Sequence, residues 1–274
     1  MNYTTYRPLI GKKGLTSYSL KMIATILMFI NHIYSMLNFA GAPYFFHIIG
    51  RPISSVFIFL MVEGHTHTSN KKKYFLRLWL MSVFMGALNF VVSIYFKRTD
   101  GFSPANNIFA SLALLFFLWN GIEAIEQREW KKALLFIGIP VMLQLIYLIL
   151  PAGDIKNAAF NICQIAIPLP TLVEGGALLI CRGLLLFIFR KKPKLQIAAF
   201  AVFTLCAYFG MIILTEHNFT IDRFLQDYSG VFSILAVVFM GIYNGARGKK
   251  AKDFFYIFYP AHIYVLYAIS CLII

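Results

Sequence analysis

The chain has 274 residues, of which 59% are apolar, 17% aromatic and only 13% charged, with 25 Lys plus Arg against 11 Asp plus Glu. A soluble domain carries about a quarter charged residues, so soluble enzymes, disordered chains, coiled coils and collagen are excluded and a polytopic membrane protein remains. On such a protein a formal charge of +14 reads first as an orientation signal and not as affinity for nucleic acid.

A spanning helix needs about 20 mostly apolar residues, and long apolar runs without strand alternation leave helix as the spanning structure. Nine candidates follow in chain order, at 17–39, 45–67, 74–96, 106–122, 133–151, 171–189, 195–215, 224–244 and 254–273. The stretch 157–170 is apolar but short and holds Pro168 and Pro170, so it reads as an outer loop or re-entrant segment; a tenth span there is the alternative. The expected fold is an all-α transmembrane bundle of about nine spans, one domain over residues 1–274. Ala40-Gly41-Ala42 imitates a signal-cleavage site, but the run before it is long and carries Lys21 and His32, so it reads as a retained anchor. The sequons at Asn2 and Asn218 are chance matches to a short pattern, and Cys163, Cys181, Cys206 and Cys271 read as small core residues.

The cations sort by side. Arg7, Lys12, Lys13, Lys71, Lys72, Lys73, Arg128, Lys131, Lys132, Arg190, Lys191, Lys192, Lys194, Arg247, Lys249, Lys250 and Lys252 share one side of a nine-span chain. Lys97, Arg98, Lys156 and Arg223 take the other. The positive-inside rule then puts the N-terminus in the cytoplasm. Lys21, Arg51, Arg77 and Arg182 remain within spans.

An ionisable group inside a span costs at least ~2.5 kcal/mol and asks for a reason. His32 and Arg51 each lie about six residues from the outer end of their span, roughly 9 Å below the boundary. Asp227 and Glu174 open later spans in the same layer, which makes a candidate cluster of His, Arg and carboxylate. His47 and His217 fall at the outer interface as solvated groups. At the inner side, Glu63, Gly64, His65 and His67 lead into Lys71, Lys72 and Lys73, with Arg77 one turn on and Lys21 facing the same leaflet. Such cations grip phosphates, or anchor loops on anionic lipid. His65-x-His67 is a poor metal pair, because residues two apart on a helix face different ways, and no metal or nucleophile-elbow motif appears.

Particular strings add a resemblance. Leu20-Lys21-Met22-Ile23-Ala24 with Asn31-His32-Ile33 resembles the opening LK-x-IA…DHI of the TraX family. Ile49-Gly50-Arg51, Val62-Glu63-Gly64 with His67-Thr68, and Lys73-Tyr74 with Arg77 are similar to its IGR…VEG-x-x-HT…KY-x-x-R. Asn107-Ile108-Phe109, Asp227-Tyr228 and Phe258-Tyr259-Pro260-Ala261-His262 resemble further family positions. The resemblance implies an integral acyltransferase of the bacterial cytoplasmic membrane that takes an acetyl group from acetyl-CoA inside and delivers it to an amine or hydroxyl outside. The acceptor would be a pilin-like protein or a surface glycan.

On that reading His32 is the general base, Arg51 stabilises the oxyanion or positions the acceptor, and Asp227 holds the imidazole tautomer or binds the acceptor amine. Lys21, Lys71, Lys72, Lys73 and Arg77 hold the CoA phosphates. Asn31, Glu63, His67, Asn107, Glu174, Tyr228 and His262 are supporting or substrate positions, and no metal is implied. The chain departs from the pattern in three places. Asn31 replaces the family's Asp, Pro52 follows Arg51 directly, and Gly86-Ala87-Leu88-Asn89 stands where an acidic residue is expected. A transporter or flippase using the same polar layer, and a non-catalytic assembly factor for a surface appendage, are the competing readings.

Overall fold

The computed structural model describes residues 13–215, 220–249 and 252–274. Arg7, Lys12, Lys250, His217, Asn2 and Asn218 lie outside the described residues, as does the side chain of Lys252. The chain runs through α1 (Ser17–Leu37), α2 (Phe45–Gly50), α3 (Ile53–His67), α4 (Lys71–Tyr95), α5 (Ile108–Glu126), α6 (Trp130–Ala133), α7 (Ile139–Ile149), α8 (Asp154–Ile165), α9 (Gly176–Ile188), α10 (Pro193–Thr215), α11 (Ile221–Tyr228), α12 (Ala236–Gly241) and α13 (Lys252–Ile273). No strand occurs among the described residues.

Eight helical stretches among the described residues are long and apolar enough to cross a membrane, close to the expected nine. The difference lies at 171–189, where α9 has only 13 residues, about 20 Å against the roughly 30 Å hydrocarbon core. The chain ahead of it, from Ala166 to Gly175, is non-helical, as expected of a segment holding Pro168 and Pro170. Leu169 and Val173 within it are buried, and backbone of this kind survives at membrane depth only when covered by protein. Residues 154–165 form the short helix α8, where an outer loop or re-entrant segment was expected over 157–170. Its 12 residues are too few to span, so no tenth span forms.

Internal contacts group the chain into two compact units. The first holds the chain up to Gly64 and from Leu185 to Ile273. In α1 the buried residues Leu20, Ala24, Met28, His32 and Met36 recur every fourth position, a single stripe down one face. In α13 Tyr259, His262, Ile263, Leu266, Tyr267 and Ser270 make the matching stripe, and α1 packs against α13. At the start of α1, residues 15–18 lie along the loop before α13: Leu15 N donates to Ile242 O at 2.8 Å and Ser17 N to Ala246 O at 2.8 Å.

Two spans of this unit are interrupted. Pro52 cannot donate, so the second span turns at Arg51 between α2 and α3. Between α11 and α12 the chain tightens into a 3-10 stretch, Ser229–Leu235. Gly50 marks the closest approach of α2 to α1, since a Cβ there would fall on the Asn31 side chain.

The second unit runs from His65 to Leu184. Its centre is α5, apolar on all sides and buried along most of its length. Asn107 caps α5, its side chain accepting from Ala110 N. A π-helical stretch, Leu134–Gly138, leads into α7 just ahead of Pro140, where a normal turn would require the missing donor. Gly86 on α4 lets the backbone of α8 at Gln164 and Ile165 come close. Trp79 Nε1 donates across the same contact to Ala166 O at 2.9 Å. Cys181, Cys206 and Cys271 are exposed and Cys163 half-buried, not core residues as expected. An apolar environment outside the protein accommodates a thiol as readily as an inside one, so burial cannot be inferred from an apolar run.

Candidate functional site

The matched stripes of α1 and α13 bring His32 onto His262. His32 is 3% exposed, and its Nδ1 lies 2.7 Å from His262 Nε2. His262 Nδ1 lies 2.7 Å from the Phe258 carbonyl oxygen, one turn back on α13. A carbonyl only accepts, so His262 Nδ1 carries the proton and donates. Its Nε2 then accepts, His32 Nδ1 donates to it, and His32 Nε2 keeps its lone pair. The two ring planes are 24° apart with centroids at 4.9 Å. The neighbour of His32 Nδ1 is thus His262, while Asp227 is exposed.

The two interrupted spans meet at Arg51. Its Nη2 donates to His47 Nε2 at 2.5 Å and to Ser229 Oγ at 2.6 Å. His47 is thus half-buried and engaged, not solvated at the interface as expected. Tyr44, which precedes α2, donates its hydroxyl to Leu225 O on α11, a second tie between the same two elements. Tyr228 is buried with its hydroxyl on Thr215 Oγ1. Asp227 itself is exposed, and Ser229, two residues on, is the neighbour that meets Arg51. Asn31 is half-buried against Gly50.

Lys21 lies eleven residues before His32, about 16 Å along the axis and within roughly 20° of the same face. It is half-buried. Tyr18 N, donating to Arg247 O at 3.1 Å, places that arginine's backbone at the first turn of α1.

The second unit holds the remaining positions. Glu174, expected in one layer with Arg51, accepts through Oε2 from Asn107 N at 2.7 Å, and its carbonyl accepts from Ser111 Oγ at 2.7 Å. A carboxylate at the N-terminus of α5 meets unsatisfied amides and the positive end of the helix dipole, so Glu174 and Asn107 act together as a cap. Lys71 forms an ion pair with Glu123, and His65 Nδ1 lies 3.6 Å from the other oxygen of the same carboxylate. His65 is fully buried, with its ring edge-on to Phe116 at 4.5 Å and Trp119 at 5.6 Å. Lys72, Lys73 and His67 are exposed and Arg77 half-buried; Glu63, at the end of the first unit, is half-buried too.

Glu123 and Ser229 were missed in the sequence. A carboxylate near the end of an all-apolar span was a readable signal for Glu123; a serine at a helix break has no comparable one. The family model described as TraX protein matches residues 17–270. The chain belongs to the TraX family. No curated protein and no solved structure matches it. Family positions quoted from the sequence fall at the contacts that hold the first unit together: Asn31 on Gly50, Arg51 on Ser229, and His32 on His262.

Proposed function

We propose that this TraX-family membrane protein is an acyl-CoA-dependent acetyltransferase of the bacterial cytoplasmic membrane. It acts on an amine or hydroxyl at the outer side, on a pilin-like protein or surface glycan. The observation that carries the reading is the buried His32 with its Nδ1 committed to donation, because that leaves Nε2 as a proton acceptor in a water-poor setting. In the reaction His32 Nε2 takes the proton of the acceptor as its nitrogen or oxygen attacks the thioester carbonyl. The new C–N or C–O bond forms, the C–S bond breaks, and the proton passes to the departing CoA thiolate. Arg51, braced by His47 and Ser229, is the cation for the carbonyl oxygen as negative charge develops there. Lys21, with the Arg247 backbone at the first turn of its helix, is the candidate partner of the CoA phosphates; of the other cations expected in that role, Lys71 is engaged by Glu123.

The test is transfer of a radiolabelled acetyl group from acetyl-CoA by the purified full chain, with mass spectrometry of surface proteins and glycans from cells with and without the gene. His32→Ala is expected to lower transfer by about 100- to 10,000-fold, the usual weight of a positioned base. Full transfer by His32→Ala sinks the assignment. The two interrupted spans favour a second reading, since transporters build solute sites at such breaks. Solute uptake by proteoliposomes without acetyl transfer would decide for it.

A further inference from the structure

We propose that His262 is the positioning residue for His32 and shares with it the proton taken from the acceptor, so that the base works as a pair of imidazoles. The proposal rests on the base role of His32. Among the described residues neither imidazole has a carboxylate partner. The His262 ring is set independently of His32, because Nδ1 is anchored on the Phe258 carbonyl at 2.7 Å and the Phe258 ring stacks against it at 4.8 Å and 19°. Tyr259 at 5.7 Å and Phe29 at 6.1 Å meet it edge-on. Pro260 lies within the same turn and removes one backbone donor from α13 there. The imidazole is thus held by aromatic walls and one carbonyl, and its Nε2 is aimed at His32.

This arrangement suits a membrane interior. A carboxylate beside the base would bury a fixed negative charge at rest, which is costly in an apolar medium. A second imidazole orients the first through an equally direct hydrogen bond, and the resting pair is neutral. When the acceptor proton reaches His32 Nε2, the proton on His32 Nδ1 moves toward His262 Nε2. The positive charge then spreads over both rings and ends against the Phe258 carbonyl dipole. When the CoA thiolate is protonated from Nε2, the Nδ1 proton returns and the pair is neutral again.

The experiment uses the full-length chain in detergent, labelled with ¹⁵N-histidine, with the His32 signals assigned by comparison with His32→Gln. Wild-type protein is expected to show His32 as a single Nδ1–H tautomer. In His262→Leu, which replaces the imidazole with an apolar side chain of similar bulk, the tautomers mix and acetyl transfer falls by about 100-fold or more, with the unfolding temperature little changed. His262→Gln offers an oxygen acceptor but stores no proton. It is expected to restore the Nδ1–H tautomer and roughly tenfold of the lost kcat, with the acceptor KM unmoved. An Nε2–H tautomer in the wild type, or an unchanged tautomer in His262→Leu, overturns the positioning role. Full wild-type rate in His262→Gln overturns the shared proton. If the wild type shows no acetyl transfer, the base role of His32 fails, and the tautomer measurement still decides what His262 does.

Discussion

At the scale of single residues, the chemistry proposed here depends on groups whose hydrogen bonds are largely spent on holding them still. Arg51 shows this well: its Nη2 is tied to a histidine one turn away and to a serine on a distant helix break. If Arg51 stabilises the oxyanion, Arg51→Gln lowers kcat by about 100- to 1,000-fold, the scale of one lost oxyanion donor, with acceptor KM little changed. Ser229→Ala removes one brace and is expected to cost less than Arg51→Gln in the same assay. Outside the spans, Arg98 is buried beneath its loop and held by Asp100 through Nε at 2.9 Å and Nη2 at 2.6 Å. The hydrogen bond from Arg98 holds the Asp100 carboxyl down to about 2. A carboxyl lowered in this way supports the fold at any pH above its ordinary range near 4, and the support fades as pH falls toward about 2. Titration followed by NMR of the Asp100 side chain is expected to show that low midpoint, and Arg98→Gln to bring it back toward the ordinary value.

At the scale of elements, close approaches and caps determine which helix faces meet. Gly50 is required where α2 touches α1, because any Cβ would land on Asn31. Gly50→Ala is expected to destabilise by about 1–3 kcal/mol, the range of an overpacked contact. Part of that loss returns in the Gly50→Ala, Asn31→Ala double variant, a non-additivity that thermal unfolding in detergent measures. The N-terminus of α5 is held by the Asn107 side chain and the Glu174 carboxylate. Asn107→Ala is expected to cost about 1–2 kcal/mol as a lost cap, and to leave the rate of acetyl transfer per folded molecule unchanged. That outcome separates a supporting residue from a substrate contact.

At the scale of the whole molecule, membrane topology is the property to measure. The cations between the spans predict that Lys72 and Lys191 face the same side. That requires an even number of crossings between them; the stretches at 71–95, 108–126 and 130–149 supply three, so α9, despite its 13 residues, must complete a fourth together with the covered non-helical chain before it. Cysteines introduced at 72 and 191, in a background lacking the natural four, are expected to be labelled only from the cytoplasmic side by a membrane-impermeant thiol reagent. Labelling of the two from opposite sides would mean that α9 does not cross.

The all-helical, many-span architecture was legible in composition, because an apolar run of about 20 residues has few ways to satisfy its backbone in lipid. The stripe Leu20, Ala24, Met28, His32, Met36 was equally legible, since the fourfold spacing is a property of the helix itself. Family membership was also carried by local strings, and residues 17–270 match. What the chain order does not contain is which stripe meets which. His32 and His262 are 230 positions apart, and Arg51 and Ser229 are 178 apart; only packing of whole helices brings them together. For the same reason the acidic residues were placed by depth alone: Glu174 went to the cap of α5 and Asp227 to the surface. Helix period and apolar length are local and additive along a sequence. Partner choice is a property of surfaces in three dimensions, and here it made a neutral imidazole, not a carboxylate, the neighbour of the candidate base.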